Sequence, residues 1–205
     1  MSDICKGNNS DTPPNINLPE MATTKWIADP EGSEVLFNTT HLLLQNITGY
    51  FRIIKLEVAT ENDDFSKFYG IVFTAKIDSV DTADKERDDY LKSAGFFDSS
   101  KYPDLKFVGK KFLDSEEKDK LIGNLTIRNI TKPVELNVEF SGKTTEPDGL
   151  TKVGFSVQGK IDRKDFDLHA STMADLGGIL IGDEVKFNAE IQLVKLIEEP
   201  VLKSP

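Results

Sequence analysis

The apolar residues of this chain recur at every second position over most of its length. In the clearest example, residues 134–140 (VELNVEF), four apolar side chains alternate with polar ones. Successive side chains of a β-strand point to opposite faces, so this period predicts strands with one buried face. The same alternation marks residues 35–37, 47–58, 71–77, 106–112, 121–127, 155–161 and 185–193. Eight or nine strands are predicted, separated by turn sequences at 29–32, 146–149 and 181–183.

The alternation stops between Thr82 and Phe97. The charged stretch from Ala83 to Leu91 predicts a helix that faces solvent, with Thr82 as its N-cap. A second short helical turn is predicted from Ser171 to Leu176. The chain is therefore predicted to be all-β with one or two short helices.

The first residues differ in composition from the rest. The tract from Cys5 to Thr24 is rich in Asn, Pro and Thr and cannot form a core. We expect a flexible leader at 1–24, one domain at 25–197 and a short tail at 198–205, since one domain readily fills this length. If the residues before Cys5 are not native, Cys5 is placed as the acyl anchor of a bacterial lipoprotein; otherwise it is an incidental cysteine. The first alternative predicts a location in the cell envelope. If Met1 is the native start, the expected location is the cytoplasm.

Antiparallel strands with one apolar face can bury it in two ways. They stack as two sheets, whose own side chains fill the interior, or they close into a barrel. A closed barrel of about eight strands leaves room for one small ligand. The alternation alone does not decide between the two.

Several motifs, taken in order, resemble the YceI-like family of lipid-binding barrels. They lie between Lys25 and about Leu196 and comprise WIADP at 26–30, Ser33, Val35, Phe37 and His41, GYF at 49–51, SVDT at 79–82, FFD at 96–98, YP at 102–103, GNLTIRNITKPV at 123–134, IDRKDF at 161–166 and IGDEV at 181–185. The resemblance implies an elongated, antiparallel, lipocalin-like β-barrel. It also implies a tunnel for a polyisoprenoid or long-chain amphiphile, a periplasmic location and no catalytic chemistry.

Two positions depart from the family pattern. Tyr90 stands where the family usually has His, and Asn129 stands where it usually has Gly. Both changes leave the expected fold intact but put the specificity for a ligand headgroup in question.

Phenylalanine dominates the aromatic residues, with 13 Phe against four Tyr and one Trp. Rings without polar atoms suit the wall of a channel for an apolar chain. We expect six of them to face inward and bind ligand: Phe37, Phe51, Phe73, Phe107, Phe140 and Phe155. Each could equally serve as core packing, because that is the usual role of Phe on a buried strand face.

Fewer polar residues are candidates for the site. His41 closes a strand and could bind a headgroup or be structural. Arg87, on the predicted helix, could bind a phosphate at the barrel mouth or make capping contacts. Arg163 and Asp165 alternate in strand geometry, and a structural ion pair is the favoured interpretation because buried charge must be paired.

Other functions lack the residues they need. The net charge of −10 argues against nucleic acid as a partner, and no segment is long and apolar enough to predict a membrane span. The two histidines and the acidic loops do not form a metal-binding pattern, so no metal or cofactor is expected. The main alternative to lipid binding is a protein-interaction module with a filled interior, and an acid–base enzyme built on His41 ranks third. A homodimer is compatible with either binding function.

Overall fold

The computed structural model describes residues 23–41, 45–115, 118–169 and 181–196. Within these ranges the chain forms eleven strand segments. They are β1 (Thr23–Ala28), β2 (Glu34–His41), β3 (Gln45–Phe51), β4 (Ile54–Glu61), β5 (Asp64–Lys76), β6 (Val80–Asp81), β7 (Asp104–Leu113), β8 (Asp119–Ile127), β9 (Ile130–Thr145), β10 (Thr151–Asp162) and β11 (Ile181–Lys195). The strands predicted from the alternation are confirmed.

The segments close into an antiparallel barrel of eight strands. β1 and β2 both pair with β11, and their other edges pair with β4 and β3 respectively. Each of the pairs β1/β2 and β3/β4 therefore acts as one bent strand of the barrel. The ring continues through β5, β7, β8, β9 and β10 back to β11, so the predicted barrel of about eight strands is confirmed.

The helix α1 (Lys85–Lys92) begins later than predicted, and its N-cap is Asp84 rather than Thr82. The Asp84 carboxylate accepts a hydrogen bond from the Arg87 backbone N–H at 3.1 Å, which satisfies a donor of the first turn. β6 ends at Asp81, next to Thr82. The predicted turn at Ser171–Leu176 lies outside the described residues, as do the predicted tail and all of the predicted leader except Thr23 and Thr24.

Two predicted details near the end of β10 are wrong. The segment 181–183 is not a turn but the start of β11, where a register shift separates Ile181 from Val185. Arg163 does not continue β10, because residues Arg163–Phe166 form a 3₁₀ turn. Both errors have one cause. The backbone conformation of these glycine- and charge-rich segments depends on contacts with residues distant in the sequence, which a local pattern does not reveal.

One end of the barrel is filled by a compact apolar group that we call the Trp26 cluster. It comprises Trp26, Val58, Val153, Ile191 and Leu193, with Phe65 and Phe155 packed against it. The cluster is supplied by the adjacent strands β4, β1, β11 and β10. The opposite end of the barrel, near α1 and Phe96–Phe97, is called the α1 end.

Asp63, at the tip of the β4–β5 hairpin, ties the strands together at the Trp26 end. Its carboxylate accepts hydrogen bonds from Lys195 Nζ at 2.7 Å and from Lys143 Nζ at 3.0 Å, which lie on β11 and β9. The hydrogen bond from Lys195 is the main reason that the pKa of Asp63 lies below its ordinary value, and the contact with Lys143 acts in the same direction against the opposing effect of burial.

The stability of the fold should therefore depend on the ionisation of Asp63. A lowered pKa in the folded state means that its contribution is complete above the ordinary pKa of 3.8 and is lost as the pH falls below it. We expect thermal melts between pH 6 and pH 2.5 to show a smaller acid-induced decrease in Tm for Asp63→Asn than for the wild type. Asp78→Asn, at an exposed carboxylate, is the control. Parallel curves for the wild type and Asp63→Asn would contradict this role.

Candidate functional site

The barrel encloses an apolar cavity of about 210 Å³ between the Trp26 cluster and the α1 end. Most of its lining residues are aliphatic or aromatic, and they come from every strand segment except β1 and β6. The polar residues of the lining are Thr39, Thr82, Arg87 and Arg163. An engineered apolar cavity of about 150 Å³ stays dry and binds benzene, so a cavity of this size and lining is suited to a hydrocarbon group.

Four of the six predicted phenylalanines line the cavity: Phe37, Phe51, Phe73 and Phe107. Phe37 and Phe51 lie on the adjacent strands β2 and β3, with ring centroids 5.5 Å apart. Phe73 and Phe107 are directly opposite each other on β5 and β7. Their positions satisfy the geometric part of the prediction, whereas contact with a ligand stays a prediction.

The other two phenylalanines are not in the cavity lining, and the inward orientation predicted for Phe140 is wrong. Phe140 is 54% exposed, because β8 begins at Asp119, opposite Val138, and so does not extend alongside Phe140. Phe155 does face inward, but it packs in the Trp26 cluster with its ring 4.9 Å from that of Phe65. It fills the end of the barrel and does not line the cavity.

Three cavity phenylalanines have ring atoms packed over a glycine of a neighbouring strand. A Cβ atom at Gly49 would lie 2.3 Å from Cζ of Phe37, and equivalent collisions would occur between Gly123 and Phe107 and between Gly159 and Phe187. Each ring thus occupies the space that a side chain would take on the facing strand. This arrangement keeps the rings against the wall and leaves the centre of the barrel open.

Arg87 lines the cavity, but its polar atoms bind the protein itself. Its Nε donates to Thr82 Oγ1 and its Nη2 to the Thr82 carbonyl, both at 2.8 Å, and Nη1 lies 3.6 Å from the Asp84 carboxylate. Asp88 accepts a hydrogen bond from the Thr82 hydroxyl at 2.6 Å. Arg87 and Asp88 therefore hold the segment before α1 through Thr82 rather than through each other.

Arg163 forms the predicted structural ion pair, but with a different partner. Its Nη2 donates to Asp183 Oδ1 at 3.0 Å, and its Nε donates to the Gly182 carbonyl at 3.2 Å. Arg163 is 8% exposed and lies at the cavity boundary. Lys164 also donates a hydrogen bond to Asp183. This bond is the largest cause of the lowered pKa of the Asp183 carboxyl, and Arg163 acts in the same direction. Asp165 lies outside the lining of the cavity.

His41 ends β2, where its backbone pairs with Gln45 and Ile181, but its side chain is outside the described part of the structure. The analysis of the sequence missed three lining rings, Phe96, Phe97 and Phe187. Phe187 belongs to the apolar face of the alternation at 185–193, so the period of two is the signal that could have added it to the predicted site. Phe96 and Phe97 follow α1, where no period predicts which face is buried.

Over the described ranges, no group of three or more His, Cys, Asp or Glu side chains could hold a metal ion. The described residues also contain no helix long and apolar enough to cross a membrane. The candidate site is thus the apolar cavity. At one end of it, Arg87 and Arg163 donate hydrogen bonds to other groups of the protein.

Comparison with known proteins identifies relatives over most of the chain. A family model described as a YceI-like domain matches residues 26–193. The UPF0312 protein SAS2572 of Staphylococcus aureus (strain MSSA476) is 32% identical over 172 residues, which cover 82% of this chain and 96% of that protein.

Solved structures give the same result for the fold. The YCEI protein of Campylobacter jejuni is 34% identical, with 78% of this chain and 90% of that chain covered and a TM-score of 0.65. A polyisoprenoid binding domain from Saccharophagus degradans, implicated in plant cell wall breakdown, is 14% identical, with coverage of 82% and 97% and a TM-score of 0.58. At that identity the second structure supports the fold alone.

Proposed function

Because the chain belongs to the YceI-like domain family, we propose that it binds the apolar chain of an isoprenoid or other lipid inside the barrel. The observation that carries this proposal is the apolar cavity of about 210 Å³. A barrel that served only as an interaction module would have no need of an open interior. The Saccharophagus degradans structure is that of a polyisoprenoid binding domain, which is consistent with the same class of ligand.

The proposed role is to carry or store the ligand rather than to transform it. The arginines at the cavity boundary donate to Thr82, Gly182 and Asp183, so they stabilise the wall of the site. Binding would then depend on burial of the chain, with about 0.8 kcal/mol gained per methylene before the cost of ordering it. Such a site distinguishes ligands by chain shape more than by headgroup. We further propose that the protein works in the cell envelope, which fractionation of the native cells would test.

The test of the function is native mass spectrometry of freshly purified protein, followed by organic extraction. We expect a mass excess that disappears on extraction, and an extract that contains a molecule with an apolar chain. Extracted protein should regain a ligand when farnesol or a fatty alcohol is added. Protein that is unliganded as purified and binds neither compound would overturn the proposal and favour the interaction module.

A further inference from the structure

The cavity ends where the Trp26 cluster begins, and this change can be followed along β4, β10 and β11. On β11, Ala189 and Ile191 line the cavity, Ile191 is also a member of the cluster, and the next inward residue, Leu193, belongs to the cluster alone. On β4 the change falls between Leu56 and Val58. On β10, residue 157 lines the cavity and residues 155 and 153 lie in or against the cluster. The cluster therefore forms a floor across the barrel.

The floor is built around Trp26, which is 1% exposed. Its Nε1–H donates to the hydroxyl of Thr60 at 3.1 Å, and Thr60 is itself fully buried. The indole ring lies 4.9 Å from the ring of Phe65, which in turn contacts Phe155. A buried indole held by both a hydrogen bond and ring contacts has one position. The indole does not line the cavity itself, but Ile191 of the same cluster does, so Trp26 supports the cavity floor from behind.

The volume above the floor gives a length. If about 150 Å³ accommodates benzene, the allowance is about 25 Å³ per carbon, and the cavity has space for about eight carbons. The polar lining residues lie away from the Trp26 cluster: Arg87 is on α1 and Thr82 precedes it, Thr39 is opposite Val185, and Arg163 is in the turn after β10 and donates to Gly182. An amphiphile would therefore orient its apolar end towards Trp26 and its polar end towards α1.

We propose that Trp26 is the residue that sets how much of an apolar chain the barrel accepts. The proposal rests on the proposed function of the cavity and specifies it further: a chain enters with its apolar end first, stops at the floor that the indole supports, and leaves any further length beyond the α1 end. Trp26 is thus a determinant of ligand length.

The first test is isothermal titration of the wild type with primary alcohols from hexanol to tetradecanol. Affinity should rise about fourfold per methylene, the equivalent of about 0.8 kcal/mol, and level off near about eight to ten carbons. In Trp26→Ala the chain length at which affinity stops rising should increase by several carbons. Dodecanol should then bind to Trp26→Ala at least about tenfold more tightly than to the wild type. Trp26→Phe keeps most of the ring but lacks the Nε1–H donor, and it should keep the limit of the wild type.

A second test needs no variant, because Trp26 is the only tryptophan in the chain and reports on its own surroundings. Bromine quenches indole emission at close range. At saturating and equal occupancy, decanol brominated at the terminal carbon should quench Trp26 severalfold more than decanol brominated next to the hydroxyl carbon. Equal quenching by the two isomers would contradict the proposed orientation of the chain. It would also contradict the proposal that Trp26 limits the length of chain accepted.

The outcomes separate the inference from the function on which it rests. If no alcohol binds the wild type, the proposed function fails. If alcohols bind but affinity keeps rising with length beyond ten carbons, or Trp26→Ala leaves the limit where it was, the function stands and the role of Trp26 is wrong. If Trp26→Ala does not fold, Leu193→Ala removes volume from the same cluster and should move the limit in the same direction.

Discussion

Replacing Phe73 with Glu is expected to abolish binding of a fluorescent long-chain lipid. Phe73 lines the cavity, so the new carboxylate would stand in an apolar interior without a partner. Such a charge costs several kcal/mol, and a bound chain would remove the remaining water from it. A loss of about 3 kcal/mol corresponds to more than a hundredfold in affinity.

Phe140→Glu is the matched control, because the same substitution is made on a ring that is 54% exposed and outside the cavity. It should bind lipid with an affinity close to that of the wild type. Circular dichroism and thermal melts must first show that both variants are folded. Burial raises the pKa of a carboxyl group, so binding to Phe73→Glu should recover in part at pH 5, where the neutral form is more populated. A Phe73→Glu variant that is folded and binds normally would contradict an apolar tunnel.

Arg87→Ala provides the comparison with a polar part of the site. The guanidinium already donates to Thr82, so its loss should loosen the segment before α1 and weaken lipid binding only modestly, by about 1 kcal/mol. If Arg87→Ala lost binding while Phe73→Glu kept it, the headgroup rather than the chain would dominate recognition.

How much of this structure the sequence predicts depends on how far apart in the chain the interacting residues lie. A period of two is local, so residues 134–140 and 185–193 identify strands and inward faces directly. The exposure of Phe140 depends on where β8 begins, and the partner of Arg163 lies 20 residues away at Asp183. Neither is encoded in the neighbouring residues, and both were predicted incorrectly in detail.

The candidate site was predictable to the same degree. The inward faces of strands identified Phe37, Phe51, Phe73 and Phe107, but the period does not reveal at which depth of the barrel packing ends and a cavity begins. Phe155 has the same inward orientation as Val157 and yet belongs to the floor. The pairing of Phe37 with Gly49 is likewise invisible until the register of β2 and β3 is known.

That pairing leads to a further expected result: Gly49→Ala should reduce both stability and lipid binding. The new Cβ would lie 2.3 Å from Cζ of Phe37, and the nearest atoms to it all belong to that one ring. The ring must therefore move off the wall and towards the cavity. Overpacking of this kind typically costs about 1–3 kcal/mol of stability. Each methylene that no longer fits in the cavity costs about fourfold in affinity, so a loss of about tenfold or more is expected.

Gly70→Ala is the control for the loss of glycine itself, because no atom lies within 4 Å of the position of its Cβ. It should keep the affinity of the wild type and its stability, or gain about 0.4–1 kcal/mol through a less flexible unfolded chain. The double variant Gly49→Ala/Phe37→Leu removes the ring that collides, and it should recover much of the stability lost in Gly49→Ala. Thermal melts and lipid titrations of the wild type, Gly49→Ala, Phe37→Leu and the double variant form a mutant cycle in which recovery measures the coupling of the two positions. If Gly49→Ala bound lipid as the wild type does, the space over Gly49 would not be what keeps the Phe37 ring out of the cavity.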